Sequence, residues 1–219
     1  MRYTLIDTGD SRSFPAAHPL LEGAAAEGEV VVIIGRNAGA ALADQPNRET
    51  KTAVLVELGT ECLGVHTGES RGTEGSNVLG FARFRLGDAA PSDLVELVRQ
   101  PATPDGAIAA AKAVLEGAGL KTAVCGDFAG RIIDRLVRPY YNAALRRLDE
   151  GLATADDMDL TLKLGLGYPE GPIALLERTG LQHHYDVTKA LFEVYGTPDY
   201  APARRAAVAK KREVKNASA

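Results

Sequence analysis

Two rhythms of apolar and polar positions run along this chain, and one gives way to the other near Asp127. Before it, short β-branched runs recur between turn residues. Tyr3 to Ile6 predicts a strand, and Val30 to Ile34, followed by Gly35, predicts the strongest one. Ala53 to Leu58, Cys62 to Val65 and Asn77 to Phe84 predict further strands. Pro91 to Val98 reads as a short helix or an edge strand. Thr103-Pro104-Asp105 predicts a helix start, with Thr103 as N-cap, running to about Gly117; Lys121 to Cys125 is again a strand. Strands alternating with helical stretches point to an α/β layer with a mostly parallel sheet.

After Asp127 the period becomes helical. From Ala129 to Leu148, apolar residues recur at i, i+3 and i+4, which predicts one long helix with a buried face. Pro139 lies inside it and removes one backbone bond near Arg135. Gly151 ends that helix, and Thr154 with Asp157 predicts the capped start of the next. A turn cluster from Gly165 to Pro172 leads to a helix ending near Thr179, then another from Leu181 to Tyr195 that stops at Gly196. The expectation is an α/β domain over residues 1–127 and an all-α domain over 128–219.

Composition narrows the class. Of 219 residues, 45% are hydrophobic and 25% charged, which excludes disorder throughout. A net charge of -4 argues against a dedicated nucleic-acid binder. The charge is uneven: residues 204–219 carry +5, which leaves -9 for the remainder. That basic stretch reads as a solvated, partly frayed terminus, with contact to phosphates or anionic lipid as the open alternative. No apolar run approaches the roughly 20 residues that span a bilayer. The N-terminus lacks a signal-peptide pattern, and Cys62 and Cys125 show no metal spacing. These features lead us to expect a cytoplasmic protein with reduced, buried thiols.

The stretch Asp127 to Asn142, then Glu150 to Asp159, then Leu162 to Pro172, resembles the C-terminal domain of the 3-hydroxyacyl-CoA dehydrogenase family. The resemblance extends over roughly residues 120 to 203, with several motifs in the family's order. It implies a helical domain that forms a homodimer and helps hold acyl-CoA, joined to an NAD-binding Rossmann domain. Asn77 to Ala82 and Leu94 to Val98 resemble the two segments that carry the family's catalytic His and Glu. Glu96 matches the Glu. The His position falls on Ala82, or near it, and loss of a general base costs on the order of 10²- to 10⁴-fold in rate. Asp134 stands where the family usually has Asn.

The family's Gly-rich loop after the first strand is also missing. Here Asp7-Thr8-Gly9-Asp10 follows Ile6, and two carboxylates repel a pyrophosphate. Gly35-Arg36-Asn37-Ala38-Gly39 after the Val30 strand is a possible substitute, with Glu57 as a guess for the ribose acid. His66, in Leu63-Gly64-Val65-His66, imitates the catalytic segment but lies far ahead of Glu96. His183 and His184 read as surface or interface residues. Leu5 to Gly9 also resembles an aspartic-protease loop, but the spacing to Gly35 is too short for that all-β fold. The pattern is similar to the second, duplicated half of two-part family members, a degenerate Rossmann-like domain on a helical domain.

Two functional expectations follow. One is a family protein of acyl-CoA (fatty acid) metabolism with weak or no dehydrogenase activity. It would act as an acyl-CoA-binding or dimerising subunit, or as the partner of an active dehydrogenase chain. The other is an active NAD-dependent enzyme converting a 3-hydroxyacyl-CoA to the 3-oxoacyl-CoA. It would hold NAD with Gly35 and Gly39 and move the proton with His66 and Glu96. NAD is a cofactor only in the second, and neither uses a metal, a membrane or nucleic acid.

Overall fold

β1 (Tyr3–Asp7) opens a six-stranded sheet in the computed structural model, which describes residues 1–217. A short helix α1 (Pro19–Glu22) leads to β2 (Val30–Ile34), and α2 (Ala38–Ala43) leads to β3 (Ala53–Glu57). A one-turn helix α3 (Gly64–Thr67) precedes β4 (Val78–Arg83) and β5 (Leu94–Arg99). Helix α4 (Asp105–Gly117) then connects to β6 (Lys121–Gly126). The strands lie in the order β1-β2-β3-β4-β5-β6. β1 to β4 are mutually parallel, β5 runs antiparallel to β4, and β6 is parallel to β5.

The two-residue period of the strands explains why the sheet is covered on both faces. Val30, Val32, Ile34, Leu55, Phe81 and Leu97 meet Leu20 of α1 and Ala111, Val114 and Leu115 of α4 in one core. Val31, Ile33, Val54, Val56 and Val98 point the other way and meet Ala38 and Leu42 of α2, with Leu63. All five residues of β2 are buried, as expected of a strand sandwiched between two apolar layers.

The second half is helical: α5 (Ile133–Asp149), α6 (Ala155–Leu166), α7 (Pro172–Thr179), α8 (Leu181–Tyr195) and α9 (Arg204–Ala217). Tyr141 and Leu145 of α5, Ile173 and Leu176 of α7, and Ala206 of α9 form its core. Thr154 caps α6 as expected: its Oγ1 accepts from the Asp157 N–H at 3.1 Å. The α/β plus all-α class is therefore the fold of this chain. By contacts it divides into one unit of residues 1–85 and 91–132 and another of 86–90 and 133–219. In the second unit Leu86 packs on the helical core, and His183 faces Asp88 at 3.7 Å.

Several expectations need correction. Cys62 to Val65 is a turn entering α3, because the Asp127 carboxylate accepts the Leu63 and Gly64 N–H groups and winds the chain there. Both cysteines are half-buried. Residues 94–99 form a strand paired on both sides, neither a helix nor an edge. Thr103 Oγ1 accepts from the Gln100 N–H, and Pro104 takes the cap position of α4. The long helix starts at Ile133, not Ala129, because Gly130 and Arg131 both have positive φ (75° and 51°). The basic segment is not frayed over its described residues. Arg204 and Arg205 pair with Asp149, Ala206 is buried, and Ser218 and Ala219 lie outside the described residues. Among the described residues no helix is long and apolar enough to cross a membrane.

Candidate functional site

The C-terminal ends of β1, β2 and β3 face the same way, because these strands are parallel. A cavity of about 330 Å³ opens there, and Gly35, Gly39, Glu57, Glu61 and His66 line it. The loop after β1 closes over the turn after β2: Thr8 N–H and Thr8 Oγ1–H both donate to Ile34 O, and Arg36 N–H donates to Gly9 O. Asp7 spends one carboxylate oxygen on the Gly9 N–H. Gly35 has φ +99°, and a Cβ on it would overlap Gly9 O.

Three of the four site residues expected from the sequence therefore share one cavity, but their bare backbone faces are already used. The Gly35 N–H donates to Glu57 Oε2 at 2.7 Å. The imidazole of His66 occupies the space a Cβ would take on Gly39. His66 Nε2 lies 3.4 Å from Glu61 Oε1, and Glu61 in turn accepts the Gly59 N–H at 2.9 Å. Glu61 sits five residues before His66, close enough in sequence to find, yet only the turn into α3 shows that the two meet.

Glu96, the fourth, has other neighbours. Its carboxylate is 2% exposed and accepts from Ile132 N–H at 2.8 Å and Arg131 Nε at 3.4 Å. The positive-φ turn at Gly130 and Arg131 aims both donors at it. Directly across the β4–β5 ladder from Glu96 stands Ala82. Among the described residues His66 makes no hydrogen bond to Glu96; its Nε2 faces Glu61 instead. Nearby, burial and the Glu96 carboxylate push the Cys125 thiol up to about 11, so it stays protonated and non-nucleophilic near neutral pH.

The helical unit holds a separate polar chain. Asp134 accepts from Arg138 Nε at 2.7 Å, and Arg138 Nη1 lies 3.1 Å from His184 Nδ1. A guanidinium only donates, so Nδ1 accepts and the proton sits on Nε2, which donates to Asn142 Oδ1 at 3.0 Å. Asn142 Nδ2 donates onward to Asp199 O and Ala201 O. His184 is 1% exposed, which corrects its reading as a surface residue; His183 is half-buried.

Comparison with known proteins shows what this chain is similar to. Residues 130–218 match the model of the 3-hydroxyacyl-CoA dehydrogenase C-terminal domain. A 3-hydroxybutyryl-CoA dehydrogenase from Bradyrhizobium diazoefficiens is 34% identical over 110 residues, 50% of this chain and 38% of that protein. The mitochondrial hydroxyacyl-coenzyme A dehydrogenase of Homo sapiens is 35% identical over 100 residues, 46% of this chain and 31% of that one. The match thus spans less than half the length of either relative. In fold, the chain is similar to FadB2 of M. tuberculosis, with a TM-score of 0.66 at 22% identity, covering 87% of this chain and 67% of that one.

Proposed function

Because this chain belongs, through its helical domain, to the 3-hydroxyacyl-CoA dehydrogenase family, we propose that it serves acyl-CoA (fatty acid) metabolism without effective dehydrogenase chemistry, as an acyl-CoA-binding and dimerising subunit. One observation carries this reading: Ala82 is the register partner of Glu96. The resemblance puts the family's proton-accepting His at Ala82 or near it, and the methyl group of Ala82 accepts no proton. Glu96 is left holding a backbone N–H and an arginine rather than an imidazole.

The cofactor side supports the same reading. NAD needs free N–H groups at a glycine turn and a helix N-terminus behind it. Here the Gly35 N–H belongs to Glu57, the open side of Gly39 belongs to His66, and α2 has only six residues. The sheet runs in strict sequence order, so it lacks the reversal of strand order at which open α/β sheets bind ligands. The residues present do not fit a dinucleotide.

The partner we assign to the helical domain is a second copy of this chain. Helix α6 has no buried residue, although it carries Leu160, Leu164 and Leu166, which are 52%, 78% and 64% exposed. Leu160 and Leu164 are four residues apart and share one face. An unpartnered apolar stripe of this kind marks an association surface.

The test is to incubate the purified protein with NADH and acetoacetyl-CoA and to follow absorbance and nicotinamide fluorescence. We expect no turnover and no saturable NADH binding, while an acyl-CoA raises the melting temperature. Turnover that disappears in His66→Ala would establish the active enzyme instead.

A further inference from the structure

The Glu57 carboxylate at the end of β3 is 7% exposed and collects three donors. Ser13 N–H reaches Oε1 at 2.7 Å, while Ser11 Oγ–H and Gly35 N–H reach Oε2 at 2.8 and 2.7 Å. Ser11 and Ser13 come from the loop after β1, and Gly35 from the turn after β2. Ser11 Oγ also accepts the Phe14 N–H at 2.9 Å, so the turn over residues 11–14 closes on the same carboxylate. Donors converging from two loops at the C-terminal edge of parallel strands are the equipment of an anion site. The anion here is part of the chain.

We infer that Glu57 is an internal anion, which latches the loop after β1 over the Gly35 turn and closes that site to phosphate and carboxylate ligands. The inference rests on the reading of this turn as one that holds no cofactor, and it adds the reason. A buried carboxylate needs donors, and these donors need an acceptor. Each satisfies the other, and a second anion brought alongside would meet the like charge of the Glu57 carboxylate. Emptied of Glu57, the same three donors would accept a small anion from solution.

Glu57→Ala tests this, with sodium formate as the probe because it reproduces the missing carboxylate. We expect the variant to melt about 5 °C or more below the wild type. Trypsin should cleave after Arg12 on the order of tenfold faster, since cleavage follows the opened population of the loop. Formate should reverse both effects saturably, and sodium chloride at equal ionic strength should not. The wild type should not respond to formate. Glu57→Gln keeps the volume without the charge, so it should also melt lower and gain nothing from formate. The inference is overturned if Glu57→Ala keeps the wild-type melting temperature and cleavage rate, or if formate restores no more than chloride does. Should the alanine variant fail to fold, an unchanged melting temperature and cleavage rate in Glu57→Gln overturns it. Dehydrogenase turnover by the wild type would sink the functional reading alone, because these readouts do not depend on it.

Discussion

His184 donates to Asn142 and accepts from Arg138 inside the helical core, so the fold is built around a neutral imidazole. Burial first, and the Arg138 charge second, push it down to about 3 from the usual 6.5. The unfolded chain therefore takes up this proton before the folded one does. The contribution of His184 is complete above pH 6.5 and declines as pH falls toward about 3, by up to roughly 1.4 kcal/mol per pH unit. A glutamine can imitate both hydrogen bonds without titrating. Denaturant unfolding of His184→Gln should lose this part of the acid slope, and an unchanged slope would show that His184 does not carry it. Glu96 is a second case. Removing its charge leaves the buried Arg131, whose Nη1 already lacks a partner, without a counter-ion. Glu96→Gln should cost about 3 kcal/mol by the same measurement. The sequence marked Glu96 through the family motif but not its arginine, because that pairing depends on a positive-φ turn 35 residues on.

Among the elements, α5 passes through Pro139 without ending. Proline supplies no N–H to the Arg135 carbonyl, and the Tyr200 hydroxyl donates to that oxygen at 3.4 Å. Tyr200→Phe should destabilise by about 1 kcal/mol. The same change in a Pro139→Ala background should cost less, because the helix then supplies its own donor; equal costs in a double-mutant cycle would refute the substitution. Thr154→Ala should also cost about 1 kcal/mol, checked by urea unfolding. Its cap was readable from Thr154 and Asp157, since the geometry is local. The gap at Arg135 was readable too, but its filler lies 65 residues away. Cys62 to Val65 misled for the same reason: a short apolar run fits a strand or a turn equally, and Asp127 decided it from a distance.

At the scale of the molecule, the α6 stripe predicts self-association. Leu160→Asp combined with Leu164→Asp should convert a dimer to a monomer by light scattering. The monomer's own stability should shift by no more than about 0.5 kcal/mol, since both leucines are exposed. A wild type that is monomeric at all concentrations would refute the dimer. The helical unit also draws in residues 86–90 from between β4 and β5. A Cβ on Gly87 would overlap the Thr179 carbonyl. A chain cut at residue 128 therefore loses part of that unit, which no local pattern in the sequence indicated.

Local rules made much of this protein legible. The two-residue and 3.6-residue periods located most strands and helices, and the apolar faces follow directly from them. The motifs after Asp127 pointed to the family whose C-terminal domain matches residues 130–218. Strand order, the partners of Glu57, Glu96 and His66, and the burial of His184 were settled only by tertiary structure. Most of those contacts join residues 20 to 50 positions apart in sequence. Periodicity describes which face a residue presents, while its partner is chosen by how distant segments close around it.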